Sequence, residues 1–375
     1  MSNKVCMYLP PFAGDYSGVC SALFDLGGMI CIHDAAGCTG NYTHFDEPRW
    51  YGSDSMVYCT SLRKVDAILG DDEKLIGKIV RNAQRLSPKF IAIVGSPVPN
   101  VIGFDFNGVA KAIESRTSIP TFGFETAGIK GTYLDGILMA YKSLASYYEK
   151  HPEKREMLTD DSDVAIPGIS PLDMPQEVFD KLCDDLRQEG VKLMNRDKEY
   201  GSLKFYQYPE KVKLNLVWNL AGLKIAKMMN EKYKTPYIVN FPIGKAMRDR
   251  YFELIKKGET AVLKNEGKTS ASRKAFIFAD PVVGDSIGNV LRNGWDVSLF
   301  NIEGKDDAST FLKNEEEIME RLKDGYDLLI ADPLFMQFAR EDTKKVVLPH
   351  YAVSSRVGTG FMFDFTEEDE LLKRM

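Results

Sequence analysis

Two stretches decide the fold: AFIFADP at 275–281 and DLLIADP at 327–333. Each is a short unbroken run of apolar residues that stops at an Asp-Pro pair. A run of that length, bounded by a turn signal, reads as a strand covered on both faces. Asp followed by Pro then reads as a helix start, with Asp as the cap and Pro at the first helical position. The same grammar written twice is what two strands of one parallel sheet would show, with Asp280 and Asp332 at its carboxyl edge.

The grammar extends through the chain. GGMICIH (27–33), KVDAILG (64–70), KFIAIVG (89–95) and IPTFGFE (119–125) read as strands. DDEKLIGKIVRNAQRL (71–86), GFDFNGVAKAIESR (103–116) and YLDGILMAYKSLASYYEKH (133–151) read as helices. Polar breaks at 151–163 and 265–273 separate a middle unit, with strands at VAIPGIS (164–170), VKLMN (191–195), LNLVWN (214–219) and TPYIVNF (235–241). Strands alternating with helices predict an α/β protein of three Rossmann-like parallel-sheet domains, at 1–160, 161–268 and 269–375. Ligands of such sheets gather outside the carboxyl ends of strands. The loops HDAAGC, GSPVPNVIGFD, ETAGIKGTY and ISPLD are therefore where chemistry is expected, Asp105 and Asp173 among their residues.

Of 375 residues, 44% are hydrophobic and 27% charged, and the formal net charge is −6. A basic groove for nucleic acid is not expected from interspersed charge of that sign. No basic stretch followed by a secretory-length apolar run is seen, nor a run long enough to span a membrane. A cytoplasmic location is expected. NEEEIMERLKDG (314–325) and FTEEDELLKRM (365–375) read as solvated helix faces.

Cysteine is unevenly placed: Cys6, Cys20, Cys31, Cys38 and Cys59 fall in the first sixty residues, and Cys183 stands alone. In a reducing compartment such crowding points to metal or redox chemistry, against the plainer reading of small buried residues. Cys38 is the foremost candidate, set between Gly37 and Gly40 where a strand gives way to a helix. A thiol at a helix start is expected to have a lowered pKa. Cys20 and Cys31 sit among apolar residues and read as core. The spacing of Cys31, His33, Cys38 and His44 does not suit a compact zinc site. No C-x2-C-x2-C run is present to wrap an iron–sulfur cluster, and no GxGxxG or P-loop lysine to cradle a nucleotide.

Taken in order, the turns resemble those of the nitrogenase component 1 family. The resemblance is carried by AAGCTG (35–40), CTSLRKVDAILGDDEKL (59–75), GSPVPNVIGFDF (95–106), IPTFGFETAGIKGTYLDG (119–136) and IPGISPLD (166–173). NLAGLKIAKMMNEKYKTPYIVNFPIG (219–244) and AFIFADPVVGDSIGNVLRNGWDV (275–297) continue it, so that it covers essentially the whole chain. It implies three Rossmann-like domains in a subunit that pairs with another, bridged by a 4Fe–4S cluster or the larger P-cluster. An ATP-dependent iron protein supplies the electrons, and a small-molecule substrate is reduced in a cleft.

Of the three cluster cysteines the family's catalytic subunits supply, the resemblance puts the first at Pro10 or Pro11, the second at Cys38 and the third at Ser96 or Pro97. Ala226 stands where the molybdenum–iron protein's larger subunit has its cofactor-binding cysteine. Cys59 occupies a Ser/Thr position near the cluster and is the second candidate metal ligand, and Gly37, Gly40, Ser96 and Asp105 are expected around the cofactor. A 4Fe–4S cluster takes four ligands, so a chain offering Cys38 alone needs a cysteine-richer partner, as a heterodimer or heterotetramer. A homodimer would need Cys38 and Cys59 from each copy. NYTHFDEPRWYG (41–52), with adjacent Arg49, Trp50 and Tyr51, is expected at a docking surface. The expected function is that of one subunit of a two-component, ATP-dependent reductase; the alternative is a non-catalytic partner or cofactor-assembly scaffold that has lost most cluster ligands.

Overall fold

A computed structural model of the chain describes residues 7–9, 12–158, 161–194, 199–264, 271–304, 307–348 and 363–375. The apolar runs become strands of three all-parallel sheets with helices between them. The chain groups into two compact units, one of residues 13–161 with 199–209 and the other of the remainder.

The first unit runs α1 (Asp15–Leu23), β1 (Met29–His33), α2 (Gly37–Asn41), β2 (Met56–Cys59), α3 (Lys64–Leu69) and α4 (Asp72–Leu86). It continues with β3 (Ile91–Gly95), α5 (Pro97–Val101), α6 (Phe106–Thr117), β4 (Thr121–Phe124) and α7 (Tyr133–Lys150). Every residue of β1 and β3 is buried, as the unbroken apolar runs require. Leu75, Ile76, Ile79 and Ala83 recur at helical spacing along α4, and Val109, Ala110 and Ile113 along α6. Together they pack on Met29, Cys31, Ile91 and Ile93 of the sheet. Helices α1 and α7 meet through glycine: a Cβ on Gly18 would collide with the Tyr133 carbonyl oxygen, and one on Gly136 with that of Asp15.

Sheet order is β2-β1-β3-β4. The chain leaves β1 toward one side and returns as β3 on the other, so the switch point lies between β1 and β3. The loops after those two strands carry Cys38 and Ser96.

One expected strand is a helix. KVDAILG forms α3, ended by Gly70 in the left-handed conformation at φ 65°. Its apolar residues Val65, Ile68 and Leu69 are spaced i, i+3, i+4, and all are exposed.

The second unit holds the other two sheets. The first comprises β5 (Val164–Ala165), β6 (Leu214–Val217), β7 (Tyr237–Val239) and β8 (Ala261–Val262), in that order. Helices α8 (Gln176–Gln188), α9 (Leu220–Tyr233) and α10 (Lys245–Lys257) connect them. VKLMN gives only a single parallel bridge, from Leu193 to Val164. The last sheet has β9 (Lys274–Phe278) at its centre, flanked by β10 (Asp296–Asn301) and then β11 (Thr310–Phe311) on one side. On the other side lie β12 (Leu328–Ala331) and β13 (Lys344–Val347), with α11 (Pro281–Leu291), α12 (Glu315–Arg321) and α13 (Pro333–Met336) between the strands. The start of α14 (Glu368–Arg374) returns to the middle sheet's helices, Glu367 pairing with Arg248 of α10.

The repeated Asp-Pro ends fall on neighbouring parallel strands, Ile277 opposite Ile330. Asp280 caps α11, accepting from Val282 and Val283 N–H at 2.8 and 3.2 Å, and Asp332 caps α13 through Leu334 N–H at 2.9 Å. The run NEEEIMERLKDG is not wholly solvated. Glu315 is buried, and its carboxylate accepts the N–H groups of Met7, Tyr8 and Leu9 at 2.7–2.9 Å. Among the described residues no helix is long and apolar enough to cross a membrane.

Candidate functional site

The turn after β1 is built around Asp34, a residue the spacing of cysteines did not single out. Asp34 is 4% exposed. A single carboxylate oxygen, Oδ2, accepts the N–H of Ala36 at 2.9 Å, the N–H of Thr39 at 3.0 Å and the Thr39 hydroxyl at 3.3 Å. Between those donors Ala36 is held at φ 124°, ψ −14°, a conformation that L-residues rarely adopt. The strained turn delivers Cys38 into the first turn of α2, half-buried at the switch point.

Cys59, the last residue of β2, sits beside it. Ile32 of β1 pairs with Cys59 in the sheet. The Cys59 thiol donates to the Asp34 carbonyl oxygen and accepts from Ser61 N–H, both at 3.3 Å. Cys38 and Cys59 are close enough to feel one another. The Cys38 thiol is pushed up to about 11, first by burial, then by the charges of Asp34 and Cys59. The expected lowering by a helix start does not occur. The helix is five residues long, its dipole correspondingly small, and a carboxylate is adjacent.

Gly37 and Gly40 have space where a side chain would be: a Cβ on either meets nothing within 4 Å. Glycine inside a helix costs about 1 kcal/mol relative to alanine, and no contact among the described residues requires it there. Ser96 is fully buried, and its hydroxyl donates to the His33 carbonyl at 2.8 Å, tying β3 to β1 across the switch point. Asp105 caps α6 through Gly108 N–H at 2.8 Å and reaches a neighbouring cavity.

That cavity, of about 320 Å³, is lined by His33, Thr60, Ser61, Lys78, Phe104 and Asp105 among others. His33 lies 2.8 Å from the Thr60 hydroxyl through Nδ1 and packs on Phe104 with ring centroids 4.3 Å apart. Burial, aided by Lys78, lowers it to about 4, so the imidazole is neutral at physiological pH. In the sequence it was one member of an unsuitable zinc spacing and one of three histidines that could have served a cysteine nucleophile.

Arg49, expected at a docking surface, is turned inward. Its guanidinium pairs with Asp25 at 2.6 Å and Glu47 at 2.7 Å, donates to the Ser21 carbonyl and covers the Phe24 ring at 4.5 Å. The arginine of NYTHFDEPRWYG is thus an internal strut, while Phe45 and Tyr51 remain exposed. Cys20, Cys31 and Cys183 are buried, and Ala226 lies in the buried face of α9. Pro10, Pro11 and Cys6 lie outside the described residues.

In the second unit Asp173 accepts Ser170 N–H at 2.7 Å and the Asn219 amide at 2.9 Å through Oδ2, while Oδ1 is buried without a hydrogen-bond partner. Burial, then the Asp280 charge, raises it to about 7.

Among the described residues no group of three or more His, Cys, Asp or Glu side chains could hold a metal ion. The donor set here is two neighbouring thiols at an open, glycine-flanked edge. That suits one side of an iron–sulfur cluster and falls short of the four ligands a 4Fe–4S cluster takes.

Residues 15–332 match the model of the nitrogenase component 1 type oxidoreductases, and the chain belongs to that family. Among curated proteins it is 26% identical over 255 residues to the nitrogenase iron-molybdenum cofactor biosynthesis protein NifE of Clostridium pasteurianum, covering 66% of this chain and 53% of that protein. To NifE of Nostoc sp. it is 24% identical over 213 residues, covering 56% of this chain and 42% of that protein. The chain thus spans about half the length of these relatives. Among solved structures it resembles a chain of nitrogenase Cp1 at pH 6.5, with TM-score 0.66 and 13% identity over 100% of this chain and 93% of that one. Nitrogenase Cp1 at pH 5 gives 0.63 and 15%, over 99% and 90%. At these identities the likeness shows the fold.

Proposed function

We propose that this chain is a component 1-like subunit that helps assemble or hold an iron–sulfur cofactor, supplying Cys38 and Cys59 to a cluster whose remaining ligands come from a second component 1-like chain. The observation that carries this is the pair of adjacent, partly exposed thiols at the switch point, with no third metal ligand beside them among the described residues. Gly37 and Gly40 leave backbone open on the same side, so that a cluster could approach closely. Cys38 and Cys59 would hold iron, and the Ser61 N–H already directed at the Cys59 sulfur would stabilise it as a thiolate. A bound cluster supplies one-electron chemistry or a precursor of a larger cofactor.

A partner is supported by what surrounds the thiols. Val65, Ile68 and Leu69 of α3, Val98 and Val101 of α5, and Ile129 after β4 are exposed, Val101 at 84% and Ile129 at 78%. All lie on loops and helices that follow the carboxyl ends of the sheet, the edge that carries Cys38. Apolar side chains in such number on one edge suit a subunit interface. With two thiols from this chain, a cluster of four ligands is completed by a second chain that brings two more, in a heterodimer or heterotetramer, or by Cys38 and Cys59 of a second copy in a homodimer. A cytoplasmic location goes with reduced thiols.

The names of the curated relatives support assembly over substrate reduction. The oxidoreductase description of the family supports the second reading, a reductase subunit fed by an ATP-dependent iron protein and acting on a small molecule. Anaerobic co-expression with a second component 1-like chain separates them. Assembly predicts a brown complex that transfers its cluster to an acceptor protein and has no ATP-dependent reductase activity with an iron protein. Reductase activity that depends on this chain would favour the second reading, and a complex without iron or sulfide would overturn both.

A further inference from the structure

We infer that Asp34 is the positioning residue of this site, fixing Cys38 and Cys59 relative to each other. The inference rests on the reading of Cys38 as a metal-facing thiol. Its basis is the convergence of both cysteine segments on one buried residue. The Asp34 carboxylate holds the Cys38 turn through Ala36 and Thr39, while its carbonyl oxygen holds the Cys59 loop through Leu62 N–H at 2.8 Å and, in the metal-free chain, accepts the Cys59 thiol at 3.3 Å. Its own N–H donates to the Thr60 hydroxyl at 3.3 Å. Carboxylate, carbonyl and N–H are each committed to one of the two loops that carry sulfur.

The backbone outlier makes the carboxylate necessary. Strained conformations of this kind cost on the order of 1–3 kcal/mol and persist only where the surroundings over-determine them. Ala36 at φ 124° has no packing that would impose the angle, being exposed. What holds it is the Asp34 Oδ2, which takes the N–H groups on both sides of Cys38. Remove that acceptor and Ala36 relaxes toward φ below zero, which swings the Gly37-Cys38 peptide and carries the Cys38 sulfur away from Cys59. All three bonds of the turn end on one oxygen, so an amide carbonyl can take its place. The role is geometric and does not need the charge.

Three variants of the full chain test this under anaerobic conditions, with cobalt(II) as the probe metal and amide hydrogen exchange as an independent readout of the turn. Asp34→Asn is expected to keep the Ala36 and Thr39 amides protected and to keep the thiolate-to-cobalt charge-transfer band. Asp34→Ala is expected to speed exchange at those two amides about tenfold and to weaken cobalt binding by at least as much, with exchange in β1 and β3 unchanged. Adding Ala36→Gly to Asp34→Ala should recover part of the cobalt affinity, because glycine adopts φ 124° without strain. Unchanged exchange and cobalt binding in Asp34→Ala would overturn the inference. So would an Asp34→Asn variant as defective as Asp34→Ala, which would mean that charge or direct ligation matters. If the wild-type chain shows no cobalt band that Cys38→Ala abolishes, the reading of Cys38 as a ligand fails, and amide exchange still decides the role of Asp34.

Discussion

Replacing Asp173 by Asn should stabilise the second unit at pH 8 and leave its stability nearly unchanged at pH 4. The Asp173 carboxyl is raised from 3.8 to about 7 by burial and by the charge of Asp280. Glu303, itself raised by burial and by Asp173, and Lys224 beside Glu303 complete the charged surroundings. A carboxyl that holds its proton more tightly folded than unfolded contributes stability that is complete below about pH 3.8 and is lost as the pH climbs through about 7. At about 1.4 kcal/mol for each pH unit of that window, about 4 kcal/mol is lost across it.

The amide introduced by Asp173→Asn would be neutral throughout. Its carbonyl can accept Ser170 N–H and the Asn219 amide as Oδ2 does now, and its NH2 falls where Oδ1 has no partner. Urea denaturation followed by tryptophan fluorescence reports on this unit, because Trp218 is wholly buried within it. The advantage of the variant over wild type should grow from near zero at pH 4 to as much as about 4 kcal/mol at pH 8. A difference that does not change with pH, or a variant less stable at pH 8, would refute the reasoning.

The other expectations concern the first unit. With its thiol raised from 9.0 to about 11, Cys38 should be alkylated in the metal-free chain about tenfold more slowly than an unperturbed thiol near neutral pH, because its much smaller thiolate fraction is only partly offset by the greater nucleophilicity of a more basic thiolate; mass spectrometry after timed iodoacetamide treatment reads this, and rapid labelling would contradict it. Gly136→Ala should cost about 3 kcal/mol or more by forcing α1 from α7, whereas Gly37→Ala, with open space around its Cβ, should leave thermal stability equal or slightly higher while reducing iron content in the complex. Arg49→Ala should destabilise the unit by about 3 kcal/mol, since it strands the fully buried Glu47 carboxylate without its counter-charge; a stable variant that only lost partner binding would restore Arg49 to the docking surface.

Most of the architecture could be read from unbroken apolar runs and their stops. AFIFADP and DLLIADP lie side by side as their shared ending suggested, because Asp capping and Pro at the first helical turn are local chemistry. KVDAILG misled because its i, i+3, i+4 spacing fills less than two helical turns, too short to be told from a strand by period. What marks it as a helix, the Asp66 carboxylate accepting the Arg63 N–H and guanidinium at its start and the left-handed Gly70 at its end, depends on side-chain reach that composition does not reveal. DVSLFN escaped notice as β10 because its first residues are polar and lie toward the edge of the sheet. At the site, Cys38 and its glycines stood out in the sequence. Asp34 did not, since an acid two residues before a turn is unremarkable until its carboxylate is seen buried. Arg49 was misplaced for a related reason: aromatic and arginine residues mark interfaces and internal struts alike, and only the positions of Asp25 and Glu47 decide between them.

The most direct test of the account is the iron and acid-labile sulfide content of the anaerobically purified complex with a second component 1-like chain, compared between wild type and Cys38→Ala. Loss of the cluster from the variant, with the two chains still associated, is the result expected. A full complement of iron and sulfide without the Cys38 sulfur would mean that the partner holds the cluster by itself, and the assignment of this edge as a ligand-bearing surface would be wrong.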